Sequence, residues 1–120
     1  MKKTGPTNIV LRKTIRLLVK YSREYKAPIW RAIARELEKP ARKRRVVNIS
    51  RINRHTSAGD IVIVPGKVLG SGDLKHSVTV AAISFSKKAL EKINKAGGRA
   101  IYITDLVKLN PSGSNVKIIG

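Results

Sequence analysis

Side chains able to do covalent or acid–base chemistry are scarce in this sequence. There are no cysteines, which excludes disulfides, thiolate metal sites and cysteine nucleophiles. The only histidines, His55 and His76, stand far apart and form no ligand pair. Seven acidic residues are scattered, with no cluster suited to a metal ion or to paired-carboxylate catalysis. The stretch Pro65-Gly66-Lys67-Val68-Leu69-Gly70-Ser71-Gly72 invites comparison with a phosphate-cradling P-loop and fails it. Lys67 is followed by Val68 where Ser or Thr is needed, and Ile61 stands where the first glycine belongs. Two readings remain for Gly70-Ser71-Gly72: a small backbone anion nest with Lys67 and Lys75 nearby, or a tight structural turn. These residues predict no enzyme, no cofactor, no metal and no small-molecule substrate.

The chemistry on offer is instead the pairing of cations with phosphate. Lys and Arg number 26 against 7 acids, a net charge of +19 in 120 residues. Such a surface repels itself and calls for a polyanionic partner. Nucleic acid fits first and an anionic membrane second, yet no apolar run approaches the ~20 residues that span a bilayer. No signal-peptide core follows the basic N-terminus, so an intracellular protein is expected. The charge is uneven. Residues 1–54 carry 17 Lys/Arg and 3 acids, and residues 55–120 carry 9 and 4.

The first half reads as helix. From Asn8 to Tyr25, Val10, Leu11, Ile15, Leu17, Leu18, Tyr21 and Tyr25 gather on one side at ~100° per residue. Arg12, Lys13, Arg16, Lys20 and Arg23 gather on the other in an arc without acids, where neighbours four apart repel rather than pair. That pattern predicts an anion-facing stripe, with Val19 misplaced inside it and Asn8 or Thr7 as the cap. A second helix is predicted from Pro28 to Lys39, with Trp30, Ile33, Ala34 and Leu37 inward and Arg31, Arg35 and Lys39 on another face. Pro40 ends it. The run Arg42, Lys43, Arg44, Arg45 then suits a flexible phosphate-binding arm, since the guanidinium fork grips phosphate well. Asn48 is placed to cap a short helix with Ile49 and Ile52 inward and Arg51, Arg54 and His55 outward.

The second half reads as an α/β core. Ile61–Val64 and Val78–Ile83 are buried strands. Ser86 caps a helix with Ala89, Leu90, Ile93 and Ala96 inward, and Lys87, Lys88, Lys92 and Lys95 on a solvated face. Gly97-Gly98 ends it. Ala100 to Ile103 is a further strand, Thr104 or Asp105 caps a short turn through Leu106, Val107 and Leu109, and Val116 to Ile119 closes the chain after a loop at Asn110–Gly113. The expected organisation is one domain over 1–120, with a basic helical segment and arm (1–54) followed by the core (55–120).

Several of these stretches resemble one family. Leu11-Arg12-Lys13, Pro28-Ile29-Trp30-Arg31-Ala32, Leu37-Glu38-Lys39-Pro40 and Val47-Asn48-Ile49-Ser50-Arg51-Ile52-Asn53-Arg54 carry the likeness. So do Val64-Pro65-Gly66-Lys67-Val68-Leu69-Gly70-Ser71-Gly72, Val78-Thr79-Val80-Ala81-Ala82 and Phe85-Ser86. In order and spacing they are similar to the archaeal and eukaryotic large-subunit ribosomal protein family L eighteen e, a relative of bacterial ribosomal protein L fifteen. The resemblance implies an α/β fold with an irregular β-β-α superhelical core and an N-terminal basic helical segment. It also implies a non-enzymatic place in the cytoplasmic large ribosomal subunit, against ribosomal RNA and neighbouring ribosomal proteins. By the same route the segment from Arg12 to Arg54, Asn48 included, and the loop from Lys67 to His76, with Ser71, Gly72 and Lys75, would face RNA. The rival reading is a DNA-compacting chromatin protein, which would use the same charge on duplex DNA.

Overall fold

The computed structural model describes residues 9–40 and 44–120. In chain order the elements are α1 (Ile9–Glu24), α2 (Pro28–Leu37), β1 (Arg45–Asn48), α3 (Ile49–His55), β2 (Ile61–Leu69), β3 (Thr79–Phe85), α4 (Lys87–Lys95), β4 (Arg99–Tyr102), α5 (Ile103–Leu109) and β5 (Val116–Ile118). They fall into two compact units. One holds the chain up to Arg44 with Ile103–Ser114, the other Arg45–Tyr102 with Asn115–Gly120. The α/β class expected from the sequence holds, and the sheet is parallel throughout.

In the first unit α1 and α2 pack on each other. α1 buries Leu11, Thr14 and Leu18, spaced by three and four. Thr14 is tolerated inside because its hydroxyl donates to the Val10 carbonyl at 2.9 Å. Val10 and Tyr25, expected inward, are 71% and 49% exposed, so the buried stripe is narrower than hydropathy alone implies. The helix stops at Lys26, whose φ of 51° is left-handed, and the Ala27 N–H reaches back to the Ser22 carbonyl at 3.1 Å. α2 starts on Pro28 and buries Trp30, Ile33, Ala34 and Leu37, as its periodicity predicts. The Trp30 indole N–H donates to the Pro111 carbonyl at 2.6 Å, anchoring the Asn110–Gly113 loop. α5 begins at Ile103, so Thr104 and Asp105 lie inside that helix rather than capping it, and Leu109 is exposed.

The second unit is built on β2. That strand pairs with β3 along one edge through Ile61–Val64 and Lys67–Val68, while β1 and β5 share the other: β1 takes Gly66–Leu69 and β5 takes Ile61–Ile63. The strand runs straight through Pro65 and Gly66, where the sequence reading placed a loop. Proline has no N–H to give a ladder and is accommodated because the register shifts between Val64 and Lys67. Gly66 is required by close approach, since a Cβ there would lie 1.9 Å from the Arg45 carbonyl oxygen. Val47, Ile49, Ile52, Val62, Val64, Val68, Val80 and Ile93 form the centre of a continuous apolar cluster. Ser86 caps α4 as predicted, its Oγ accepting from the Ala89 N–H at 3.1 Å, and Gly97 ends the helix at φ +81°. Ala89 and Ile93 are buried, whereas Leu90 is 38% exposed.

One connection is unusual. Thr79 is level with Ile61, so the chain must return the length of β2 between Leu69 and Thr79. That length is about 26 Å at the usual rise, while the connection at full stretch reaches only about 35 Å. A helical crossover of that residue count would cover about 14 Å. The return is therefore extended, and its amides must find partners outside any regular ladder.

Replacing Gly66 by Ala is expected to destabilise the protein by roughly 2–4 kcal/mol, because the clash is with backbone that cannot rotate away. Urea unfolding measures it, and an unchanged midpoint would contradict the close approach of β1.

Candidate nucleic-acid interface

On α1, Arg12, Lys13, Arg16, Lys20 and Arg23 are all exposed, as the periodicity predicts. Two acids stand at their margins, one on α1 itself and one brought in after α2. Lys20 Nζ stands 3.9 Å from Glu24, with both side chains largely in water, and such a pair is worth little. Glu38, arriving after α2, lines a shallow hollow with Arg12, Ile15 and Arg16. Ile15 and Val19 are half-buried between these cations, so their alkyl surface is shielded without leaving the basic side. The arc itself holds no acid but is flanked by two, and Lys20 at its edge has an acidic partner four residues on. On α2, Arg31 and Arg35 are exposed, and Lys39, beyond its end, pairs with Glu36 at 3.0 Å.

Of the expected arm, Arg42 and Lys43 lie outside the described residues, as do the Asn8 and Thr7 cap candidates. Arg44 is half-buried, and its Nε is buried without a hydrogen-bond partner among the described residues. Arg45 is exposed but opens β1, level with Gly66, so the run ends in sheet rather than as a free arm. Parallel pairing with β2 holds its backbone.

In the second unit, α3 turns Ile49 and Ile52 inward and Arg51, Arg54 and His55 outward, as expected. Asn48 sits at the N-cap position, but its side chain makes no cap bond. Its Oδ1 instead accepts the Ser71 N–H at 3.2 Å. Asn53 does the same for the Lys75 N–H at 2.9 Å. These two side chains supply partners for the extended return between β2 and β3. Farther along, the Thr56 hydroxyl lies 2.6 Å from the Ile52 carbonyl and 2.7 Å from His76 Nε2. The single hydroxyl proton goes to the carbonyl, so Nε2 must carry the proton of the second bond. His76 is half-buried and anchors the loop.

The anion-nest reading of Gly70-Ser71-Gly72 is corrected by these bonds. The Ser71 N–H is taken by Asn48, while the carbonyls of Gly70 and Gly72 both accept from the Lys92 ammonium. Carbonyls converging on one point attract a cation, the opposite polarity to a nest. The glycines serve packing: a Cβ at Gly70 would meet Lys88 Cβ at 2.6 Å, and one at Gly72, where φ is +92°, would meet Ser50 Cβ at 2.4 Å. Ser71 and Gly72 remain exposed, as do the side chains of Lys67 and Lys75.

Lys117 escaped the sequence reading. It lines a groove with Arg51, His55 and Ile118, and its ammonium bonds Asp60 Oδ2 at 2.8 Å. The signal available was the alternation Val116-Lys117-Ile118, which puts the lysine alone on one strand face. The Lys117 hydrogen bond, followed by the Ser57 N–H at 2.8 Å, holds the Asp60 carboxyl below its ordinary pKa of 3.8. Among the described residues no group of three or more His, Cys, Asp or Glu could hold a metal ion. No described helix is long and apolar enough to cross a membrane.

Comparison with known proteins gives a concordant result. Residues 28–101 match the family described as "Ribosomal proteins 50S-L15, 50S-L18e, 60S-L27A". The "Large ribosomal subunit protein eL18" of Methanothermobacter thermautotrophicus is 50% identical over 99% of this chain and 98% of its own length. Its namesake from Sulfurisphaera tokodaii is 48% identical over 98% of this chain and 96% of its own. That from Methanococcus maripaludis is 47% identical over 99% of each.

Asp60 has a depressed pKa in the folded chain, so its contribution to stability is present above the unfolded value and lost as pH falls through the folded one. Asp60→Asn is therefore expected to be less stable than the parent at pH 7, with the difference vanishing well below pH 3.8. Thermal unfolding across pH checks this, and a difference that persists in acid would remove the ion pair as its cause.

Proposed function

The chain belongs to the eL18 family of large ribosomal subunit proteins, structural constituents of that subunit, and we propose that it acts there by neutralising and bridging phosphates of folded ribosomal RNA. The observation that carries this reading is the exposed α1 row Arg12, Lys13, Arg16, Lys20 and Arg23, whose charge far exceeds that of the two flanking acids. Arg31 and Arg35 on α2 extend the cationic surface of that unit, with Lys39 weakened by its Glu36 partner. In the other unit Arg45, Arg51, Arg54, His55, Lys67 and Lys75 supply exposed donors, and Ser71 and Gly72 offer close backbone approach. Asn48 and His76 act on RNA through the loop they hold, while Arg42, Lys43 and Arg44 add charge to the sequence that precedes Arg45.

Each such contact releases condensed counterions, so affinity falls steeply with salt. A-form grooves present little for side chains to read, so recognition follows the spacing of phosphates and the shape of the RNA fold. Three tyrosines, one tryptophan and one phenylalanine are too few for a stacking platform, and Trp30 is fully buried. Catalysis has no place in this role. The work is done in the large subunit, beside its RNA and adjoining proteins.

Binding of a large-subunit rRNA transcript over a salt series tests the reading. Arg12→Ala and Arg16→Ala are each expected to lower the slope of log affinity against log salt by roughly 0.7–0.9, with folding intact. Parent-like slopes in both variants, or equal affinity for duplex DNA of matched length, would defeat it.

A further inference from the structure

Lys92 was expected on a solvated helix face with Lys87, Lys88 and Lys95. Those three are exposed, and Lys92 alone of the four is half-buried. Its ammonium donates to the Gly70 carbonyl at 2.6 Å and also to the Gly72 carbonyl. Two of its three protons are thereby committed to one turn of backbone. The same turn is gripped from α3, where the Ser50 N–H donates to the Ser71 carbonyl at 3.0 Å and Asn48 accepts the Ser71 N–H. The absent Cβ atoms at Gly70 and Gly72 let the turn lie between the two helices without a gap. Two glycines in an extended return would otherwise sample many conformations.

We propose that Lys92 is the positioning residue of the RNA-facing return: it holds the 70–72 turn, before any RNA arrives, in the shape that presents Ser71, Gly72 and Lys75. Two of its three donors are occupied by carbonyls, so its part is to hold this backbone rather than to serve as a phosphate contact. The gain is in binding: a turn ordered in the free protein does not have to be ordered at the expense of affinity. The claim rests on the reading that this return faces rRNA. Arginine would preserve the function, because its fork also carries two N–H donors side by side, whereas methionine keeps the stem and removes the donors.

The test combines amide hydrogen exchange on the free full chain with binding of a large-subunit rRNA transcript over a salt series, for the parent, Lys92→Met and Lys92→Arg. In Lys92→Met the Ser71 and Gly72 amides are expected to exchange about tenfold faster or more while β2 and β3 amides keep their protection. Affinity should fall about threefold to tenfold with the salt slope retained. Lys92→Arg should keep both parental protection and affinity. Unchanged exchange at Ser71 in Lys92→Met overturns the positioning role. A slope lowered by roughly 0.7–0.9 with exchange unchanged makes Lys92 a phosphate contact and also overturns it. Faster exchange with parental affinity overturns the link between the turn's shape and RNA. If the parent itself fails to bind the transcript, the rRNA reading fails, and the exchange measurement still decides whether Lys92 orders the turn. Lys92→Leu, which likewise carries no donor, replaces the methionine variant if that one does not fold.

Discussion

The return from β2 to β3 is the constraint on which the second unit depends. Parallel neighbours in register oblige the chain to travel back along the whole of β2, and here the segment available is too short to do so except in extended form. No helix fits, so the amides of this segment cannot satisfy one another. Asn48 and Asn53 accept from two of those amides, the Thr56–His76 side-chain bond ties the return to the end of α3, and Lys92 binds the carbonyls from the α4 side. Polar residues that look like ordinary surface are therefore part of the framework. The exposed cations of this unit hang on the same framework: α3 carries Arg51, Arg54 and His55, while Lys67 and Lys75 border the return itself.

Electrostatics explains how so positive a chain folds. Three of the seven acids sit as partners of single cations: Glu24 by Lys20, Glu36 by Lys39 and Asp60 by Lys117. Each tempers one cation locally and leaves the others to an external anion. The apolar cluster around β2 is continuous and carries no charged member, so that core forms without taking a charge into it. Apart from the half-buried Arg44 and Lys92, the basic side chains named above on α1, α2 and α3 stay in high-dielectric solvent, where self-repulsion is weakest. Bound phosphate would relieve it further.

Much of this was readable beforehand because it depends on local pattern. The helical stripes of α1 and α2, the Trp30 face, the Ser86 cap, the Gly97 stop and the inward Ile49 and Ile52 all follow from spacing and from backbone chemistry. The errors share a cause. Asn48, the Gly70–Gly72 turn and Lys92 were each assigned to their own element, but their partners lie 20 to 23 positions away in the chain. Pro65 and Gly66 were read as a loop because a bulged strand has the composition of a turn. Arg45 was read as arm because charge density hides a strand whose pairing partner comes later.

Charge balance, the missing cysteines and the period of the apolar residues were enough to predict an α/β fold with a strongly cationic surface. They sufficed because charge is additive and because helical and strand faces repeat over a few residues. Folding settled which polar groups are spent inside the molecule and which remain for a partner. That division turns on hydrogen bonds between segments distant in sequence. Lys92 and Lys75 look alike in the chain, and only the return path of the backbone makes one of them a fastener and leaves the other in solvent.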